Sequence, residues 1–287
     1  MERLRNWKPV AILYKMGAYL QPMEISIHGA YTSFFLVLSV FPILVVLFSL
    51  LGYTSLGIDE VMHLVEGVLP ATFWHMAERL VRSAYEHTSP SMLSVSVLTA
   101  LWSAGRGIKG LMMGMNSVYG LQENRGYFRI RGISTLYTFL FLIVLVLTLV
   151  LHVFGSMLLD YLRMRTDPVL LLIMSVIDLR FVFLVVLQVA LFTAMYAVMP
   201  NSRHTIKQSI PGAVLAACGW MGFSDAFSKY VEHFPSYANV YGSVYAAALA
   251  MLWLYCCISI VFYGGALNRW LMERKERKSK AIEDNEK

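Results

Sequence analysis

The sequence "ISTLYTFLFLIVLVLTLVLHVFGSML", residues 133–158, is the strongest apolar run in the chain. A helix needs about 20 mostly apolar residues to cross the hydrocarbon core of a bilayer, so this run alone predicts a membrane span. Five further runs are long enough, of which the second is the weakest: residues 31–52, 91–115, 181–199, 210–227 and 245–267. The expected fold is therefore all-α, with six transmembrane helices.

The composition agrees with an integral membrane protein. The 287 residues are 57% hydrophobic and 15% charged, with a mean hydropathy of +0.59, whereas soluble domains carry roughly 25% charged residues. No secretory signal peptide is visible at the N-terminus. The three cysteines, Cys218, Cys256 and Cys257, lie in apolar runs, which favours packing over a disulfide or a metal site. We expect no metal and no cofactor.

The charges in the loops indicate the orientation. If both termini are cytoplasmic, only six of the 24 Lys and Arg residues fall on the outer side: Arg79, Arg82, Arg163, Arg165, Arg180 and Lys229. Asp and Glu divide almost evenly between the two sides. A bias in Lys and Arg alone is what the positive-inside rule predicts. We therefore expect a multi-pass protein with its N and C termini in the cytoplasm.

The remaining segments complete the domain organisation. Residues 1–30 form a cytoplasmic arm with an interfacial amphipathic helix at 8–27. Residues 31–271 form the six-helix domain, whose outer loop at 54–90 is expected to contain two short helices. Residues 168–177 are read as a re-entrant or interfacial piece. The charged cytoplasmic tail at 272–287 is expected to be disordered.

Four stretches of the sequence carry a resemblance to a known family. They are "SFFLVLSVFPILVVLFSLLGY", "LWSAGRGIKGLMMGMNSVYG", "YAVMPNSR" followed by "IPGAVLAA", and "YGSVYAAALAMLWLY". Together and in this order they resemble the YihY/BrkB family, UPF0761-type bacterial inner-membrane proteins that were long labelled ribonuclease BN. The resemblance covers nearly the whole chain and implies a six-span protein of the cell inner membrane. The chain departs from the family's frequent "GAELN" pattern, because it reads "GGALN" with Ala266 in place of the glutamate.

The second stretch raises the question of a binding site. Arg106 and Lys109 would lie in the inner third of the hydrocarbon, on a stripe with Trp102 and Met113. Three readings stay open for the two cations: snorkelling to the headgroups, lining a vestibule that opens to the cytosol and accepts an anionic group, or pairing with an acid on another span. A neighbouring stripe of small residues favours close helix packing: Ser103, Gly107, Gly110 and Gly114.

Other polar and special residues have simpler alternatives. Asp225 and Lys229 are a candidate helix-face ion pair, which we favour over a proton relay. Pro42 is expected to kink the first span, and Pro211 to lie in the first turn of the fifth. Asn201 and Arg203 fall in the short inner loop before it. They form either a rigid turn or part of the same inner cavity as Arg106.

Two functions follow from these sites. The first is a membrane transporter of an anionic or amphipathic molecule, such as a lipid or lipid-linked precursor, with a candidate site formed by Trp102, Ser103, Arg106, Lys109, Asn201 and Arg203. The alternative is a non-transporting scaffold or lipid-binding protein. We expect no enzyme activity, and ribonuclease activity least of all, because no cluster of metal ligands or acid/base groups faces the cytosol. The expected partners are membrane lipids, with anionic ones favoured by charge, and no specific nucleic acid; the sequence leaves the oligomeric state open.

Overall fold

The described part of the chain is built from helices. The computed structural model describes residues 8–51, 90–126, 128–137, 179–202, 204–233 and 236–285, together with Glu78 and Arg82. Its elements are α1 (Lys8–Leu20), a 3₁₀ turn (Gln21–Met23), α2 (Ile25–Leu51), α3 (Pro90–Tyr119), α4 (described over residues 128–137), α5 (Leu179–Val198), α6 (Ile206–His233) and α7 (Ser236–Asn285). No strand occurs within these ranges, so the all-α prediction is confirmed for them.

Length and apolar composition identify candidate membrane spans among the described helices. Residues Ile206–Val231 of α6 and Ala247–Ile282 of α7 are each long and apolar enough to cross a bilayer. A third candidate is the bent pair formed by Tyr14–Met23 and Ile25–Val40. The six-span arrangement and the orientation of the termini stay predictions. The re-entrant piece and most of the outer loop lie outside the described residues.

The break between α1 and α2 corrects the expected continuous helix over residues 8–27. Pro22 lies in the 3₁₀ turn, and Glu24 adopts a left-handed backbone conformation (φ 48°, ψ 36°). The two helical pieces meet at a bend of 49°. The sequence pattern missed this break because apolar periodicity continues across it, with Met23 and Ile25 both buried.

The C-terminus of α3 ends in a glycine cap. Gly120 has a φ of +67°, which a residue without a Cβ adopts at low cost. Its N–H donates to the Ser117 carbonyl at 3.0 Å, and the N–H of Leu121 donates to the Asn116 carbonyl at 2.8 Å. This pair of bonds is the Schellman arrangement, and it explains why the helix stops at Tyr119.

The N-terminus of α6 corrects the expected position of Pro211. The helix begins at Ile206, so Pro211 lies in its second turn. The start is fixed by one arm of a capping box, in which the side-chain oxygen of Gln208 accepts a hydrogen bond from the N–H of Thr205 at 3.0 Å. The N–H of Gln208 donates to the Thr205 backbone carbonyl. Polar residues before the apolar run therefore extend the helix beyond the predicted span.

The last helix corrects the expected disorder of the charged tail. α7 is 50 residues long and continues to Asn285. Glu273 lies four residues from both Arg269 and Arg277, and its carboxylate oxygens approach their guanidinium groups at 2.8 and 3.8 Å. Lys, Arg and Glu are good helix formers, and pairs at this spacing add a few tenths of a kcal/mol each, about 0.2–0.5.

The contacts divide the chain into two compact units. The first unit comprises Met1–Phe34, Gly107–Ile130 and Leu187–Lys287, and the second comprises Phe35–Arg106 and Arg131–Val186. The core of the first unit contains large side chains that are fully buried, among them Tyr196, Phe262, Met112, Met115 and Met199. Each unit contains candidate site residues, among them Arg106 in the second unit and Asn201 in the first.

Candidate functional site

An arginine stacked on two aromatic rings is the central feature of the second unit. The Arg106 guanidinium carbon lies 4.5 Å from the centroid of the Trp102 ring and 5.3 Å from that of Phe35. The two rings meet edge to face, with centroids 6.3 Å apart. Arg106 is itself exposed. The stack therefore holds a cation in place by cation–π attraction while leaving it open to an approaching anion.

A cavity of about 560 Å³ lies beside this stack. It is lined by Leu98, Thr99, Trp102 and Arg131. The Arg131 guanidinium lies over Gly105, where a Cβ would come within 2.6 Å of its Nη1 atom. The absence of a side chain at Gly105 thus lets Arg131 approach α3. The cavity combines an apolar and aromatic wall with a guanidinium, a pairing suited to a molecule with an acidic head and an apolar body.

The other sequence-predicted site residues lie in different settings. The Ser103 hydroxyl is buried and donates within α3 to the Thr99 carbonyl at 2.7 Å, so it is occupied by its own helix. Lys109 is exposed and belongs to the first unit. Asn201 also belongs to the first unit, in a hydrogen-bond network described below. Arg203 lies outside the described residues.

The small-residue stripe of α3 lies against neighbouring helices in the first unit. A Cβ on Gly110 would press on Tyr31 and Thr32 of α2. A Cβ on Gly114 would overlap Phe262 of α7. Gly107 is buried as well. The glycines therefore allow approaches that any larger residue would prevent.

A network that we call the polar clasp connects the end of α3 with the loop after α5. The Asn116 amide donates to a Glu123 carboxylate oxygen at 2.7 Å, and its oxygen accepts from the Asn201 N–H at 2.7 Å. Asn201 donates in turn to the Gln122 carbonyl. Arg125 bonds Glu123 at 2.6 Å and both of its terminal nitrogens donate to the Met199 carbonyl at 3.0 Å. These bonds give Asn201 a positioning role in a rigid turn.

The polar clasp also shifts one titration. Hydrogen bonds from Arg125 lower the pKa of Glu123, an effect that partial burial opposes. The Arg125 side chain is only 6% exposed, and a guanidinium at that depth needs a charged partner. Glu123 is therefore held ionised to complete the clasp.

A buried asparagine joins α6 and α7. The Asn268 side chain accepts from the Gly212 N–H at 2.7 Å and donates to the Ser209 carbonyl at 3.1 Å. Both bonds flank Pro211, which has no N–H to contribute to the helix. The backbones also come close, because a Cβ on Gly212 would overlap the carbonyl oxygen of Gly264. Asn268 thus joins α7 to the backbone of α6 on both sides of Pro211.

Arg269 and a second cavity lie at the end of α3. The guanidinium donates to the Val118 carbonyl at 2.8 Å and to the Glu273 carboxylate at 2.8 Å. A cation at the last carbonyls of a helix is favourable. The adjacent cavity, of about 360 Å³, is lined by residues that include Tyr119, His204, Arg269, Met272, Glu273 and Glu276.

Two further candidates from the sequence are the Asp225–Lys229 ion pair and Pro42. Lys229 donates to the Asp225 carboxylate at 2.7 Å, and both side chains are mostly exposed, at 72% and 66%. Pro42 lies inside α2. Among the described residues, no group of three or more His, Cys, Asp or Glu is placed to hold a metal ion.

The sequence patterns did not predict the contacts of the polar residues in the first unit. Asn116 belonged to a quoted motif, but Arg125, Asn268 and Arg269 were not singled out as site residues. One signal was available: Asn268 is an amide directly after the apolar run at 245–267, and such a residue needs hydrogen-bond partners once buried. Which partners it finds depends on helix register, which the sequence does not reveal.

Comparison with known proteins places the chain in a family. The family model described as virulence factor BrkB matches residues 20–287. The chain belongs to the BrkB family. A Bacillus subtilis protein named as ribonuclease-like, YfkH, is 30% identical over 253 residues, which cover 86% of this chain and 90% of that protein. The resemblance proposed from the sequence motifs is therefore confirmed.

Shorter matches come from members of the family named as membrane proteins. A UPF0761 membrane protein of Chromohalobacter salexigens is 38% identical over 84 residues, 29% of this chain and 20% of that protein. Another from Aliivibrio fischeri is 29% identical over 89 residues, 31% of this chain and 29% of that protein. No solved structure matches the chain. The chain is thus a helical membrane protein of the BrkB/UPF0761 family.

Proposed function

We propose that this membrane protein binds an anionic amphipathic molecule, such as a lipid or lipid-linked precursor, and moves it from the cytoplasmic side of the membrane. The observation that carries the proposal is the cavity that places Leu98 and Trp102 beside the Arg131 guanidinium. Among the residues that the structure describes, no carboxylate pairs with Arg131, whereas a purely structural arginine would be expected to have such a partner. Arg106, stacked on Trp102 and exposed, adds a second cation near the same wall.

The chemistry of the cavity favours an acidic headgroup attached to an apolar chain. Guanidinium groups bind phosphate and carboxylate with two parallel hydrogen bonds. Leu98 and the Trp102 ring offer an apolar surface for the hydrocarbon part of such a molecule. A volume of about 560 Å³ lies within the range of ligand pockets, roughly 300–1,000 Å³. A headgroup and the first part of an acyl chain would fit this space.

The proposal includes the orientation in the membrane. We place the protein in the cell inner membrane with six spans and both termini in the cytoplasm. The distribution of Lys and Arg over the loops supports this orientation. The membrane-protein names of the relatives support the membrane location.

Reconstituted vesicles test the proposal. The purified full-length chain is inserted into vesicles that contain fluorescent phosphatidylglycerol, and transfer between leaflets is followed with a membrane-impermeant quencher. We expect the wild type to accelerate transfer, and Arg131→Gln to slow it about tenfold, because each charge-assisted hydrogen bond lost costs about 1.5–3 kcal/mol. Arg106→Gln should act in the same direction.

Arg129→Gln is the matched control. Arg129 is an exposed arginine two residues from Arg131 and does not line the cavity, so its replacement should leave transfer unchanged. Equal rates for the two variants, or no acceleration by the wild type with any labelled anionic lipid, would contradict transport. If lipid binding depends on Arg131 but the wild type moves no lipid, the scaffold alternative is correct.

A further inference from the structure

The part of α7 that follows its apolar run separates its charges into two faces. Arg269, Glu273 and Glu276 line the cavity of about 360 Å³, so their face lies against the rest of the first unit. Arg274 and Lys278 are exposed. At 3.6 residues per turn, Lys278 lies about 180° from Arg269 around the helix axis. The face of α7 opposite the cavity is therefore basic.

The residues of this basic face, which we define as Arg274, Lys275 and Lys278, have no acid beside them on the helix. Side chains three or four positions apart are neighbours on a helix, and around these three residues none of those positions holds Asp or Glu. Arg274 and Lys278 are instead four residues apart, a spacing at which like charges repel. The basic face therefore costs helix stability until an anion approaches it.

A tryptophan lies at the end of the basic face that is nearer to the apolar run. The Trp270 side chain is 44% exposed, and the guanidinium carbon of Arg274 lies 5.3 Å from the centroid of its ring. Tryptophan is enriched where a membrane meets water. Cation–π attraction holds the Arg274 guanidinium beside that ring, and thus close to the level at which headgroups begin.

The distance from the apolar run brings the basic face within reach of the lipid surface. At 1.5 Å per residue, Arg274 and Lys278 lie about 10 and 16 Å past Leu267, and helical side chains point back toward the N-terminus of the helix. The headgroup layer is about 5–7 Å thick. Its charge acts over a further Debye length of about 8 Å. An anionic leaflet would therefore attract the whole face.

We propose that the basic face binds the anionic headgroups of the leaflet from which α7 emerges, with Trp270 at the boundary. The occupant is a lipid with a net negative headgroup, such as phosphatidylglycerol. The exposed Trp270 ring and the candidate span directly before it favour lipid over RNA, the other polyanion that a basic face attracts. The face shares no residue with the cavity beside Trp102, so the proposal does not rest on transport.

The lipid preference of the full-length protein tests the proposal. The protein is reconstituted in phosphatidylcholine vesicles, and electron spin resonance measures how much spin-labelled phosphatidylglycerol or phosphatidylcholine it immobilises. We expect the wild type to prefer phosphatidylglycerol and to lose this preference at high salt, which screens charge. Arg274→Gln and Lys278→Gln, both at exposed positions, should each lower the preference about fivefold, because one basic residue near an anionic surface contributes a factor of that size.

Lys280→Gln is the matched control. It removes the same charge from an exposed position on the side of the helix that carries Glu276, and it should keep the wild-type preference. Equal preferences of Lys278→Gln and Lys280→Gln, or no preference in the wild type, overturn the proposal. A labelled single-stranded RNA that binds the wild type at physiological salt and abolishes the preference overturns it in favour of a nucleic-acid partner. The difference between the two lysine variants should persist in an Arg131→Gln chain, whatever the vesicle transfer experiment shows.

Discussion

Asn268 shows how one buried amide ties two helices together beside a proline. Its two hydrogen bonds reach backbone groups of α6 on either side of Pro211. The sequence places both residues in quoted motifs, but apolar periodicity does not say that they meet. In "GGALN" the position that attracted attention was Ala266, which is simply buried. The residue that makes the specific contacts lies two positions further on.

Replacement of Asn268 by Leu should destabilise the protein by about 0.5–1.5 kcal/mol for each hydrogen bond lost. The side chain keeps its size but removes the bonds to the Gly212 N–H and the Ser209 carbonyl. Thermal unfolding in detergent, followed by circular dichroism, measures the loss. Ser279→Ala, at an exposed position on the same helix, is the control and should leave the unfolding temperature unchanged. Equal unfolding temperatures for both variants would contradict this role of Asn268.

Glu123 should make the stability of the protein depend on acid pH. The pKa of Glu123 in the folded protein lies below its ordinary value of 4.5. The stabilisation from the clasp is therefore fully present above pH 4.5 and is lost as the pH falls through the lower folded pKa. Unfolding temperatures measured between pH 7 and pH 3 should drop for the wild type and drop less for Glu123→Gln. Asp225→Asn, in an exposed pair, should retain the wild-type dependence; parallel curves for wild type and Glu123→Gln would refute the assignment.

The close approach of the helices α6 and α7 depends on a pair of glycines that face each other. Gly212 and Gly264 bring the two backbones so close that a methyl group on either would meet the carbonyl oxygen of the other. Glycines in the "IPGAVLAA" and "YGGALN" segments could be noticed in the sequence as small residues. That they face each other depends on the rotation of two helices, which the sequence pattern leaves undetermined.

Gly212→Ala should destabilise the protein by about 1–3 kcal/mol, because the added methyl group forces the backbones apart. Gly222→Ala provides a matched control on the same helix, since nothing lies within 4 Å of its Cβ position. The control should be neutral or stabilising by up to about 1 kcal/mol, as alanine favours a helix over glycine. Chemical denaturation of both variants in the same detergent measures whether the free energy of unfolding falls for Gly212→Ala and stays equal or rises for Gly222→Ala. A stabilised Gly212→Ala protein would show that the helices do not cross at this point.

Helix cores were predictable from the sequence, and helix ends were not. The apolar runs at 181–199 and 210–227 lie almost entirely inside α5 and α6, because membrane insertion selects for continuous apolar surface. The ends depend on local hydrogen bonds that hydropathy ignores, such as the bond from the Thr205 N–H to the Gln208 side chain. Local bonds also explain the tail. There, ion pairs between side chains four residues apart continue α7 well beyond its apolar part. In the candidate site, Trp102 and Arg106 share a helix face by spacing alone, whereas Phe35 joins them only through packing.

At the scale of the whole molecule, the family membership fixes a membrane location but leaves the orientation to be measured. We expect both termini on the cytoplasmic side. In a chain whose three native cysteines are replaced by alanine, a cysteine at Ser279 should react with a membrane-impermeant maleimide only after cells are opened. A cysteine at Arg82, in the expected outer loop, should react in intact cells. The reverse pattern would invert the topology and remove the cytoplasmic entry that the transport proposal requires.

The length of α7 gives the molecule a rigid spacer. At 1.5 Å per residue, the stretch from Leu267 to Asn285 extends the helix by about 27 Å past the end of the apolar run. We therefore expect an enzyme, tag or binding domain joined to the C-terminus to be held at a distance from the apolar run that the helix sets. A spin label at the C-terminus and a second one on the lipid headgroups should give a narrow distribution of distances between the labels. A disordered tail would give a broad distribution.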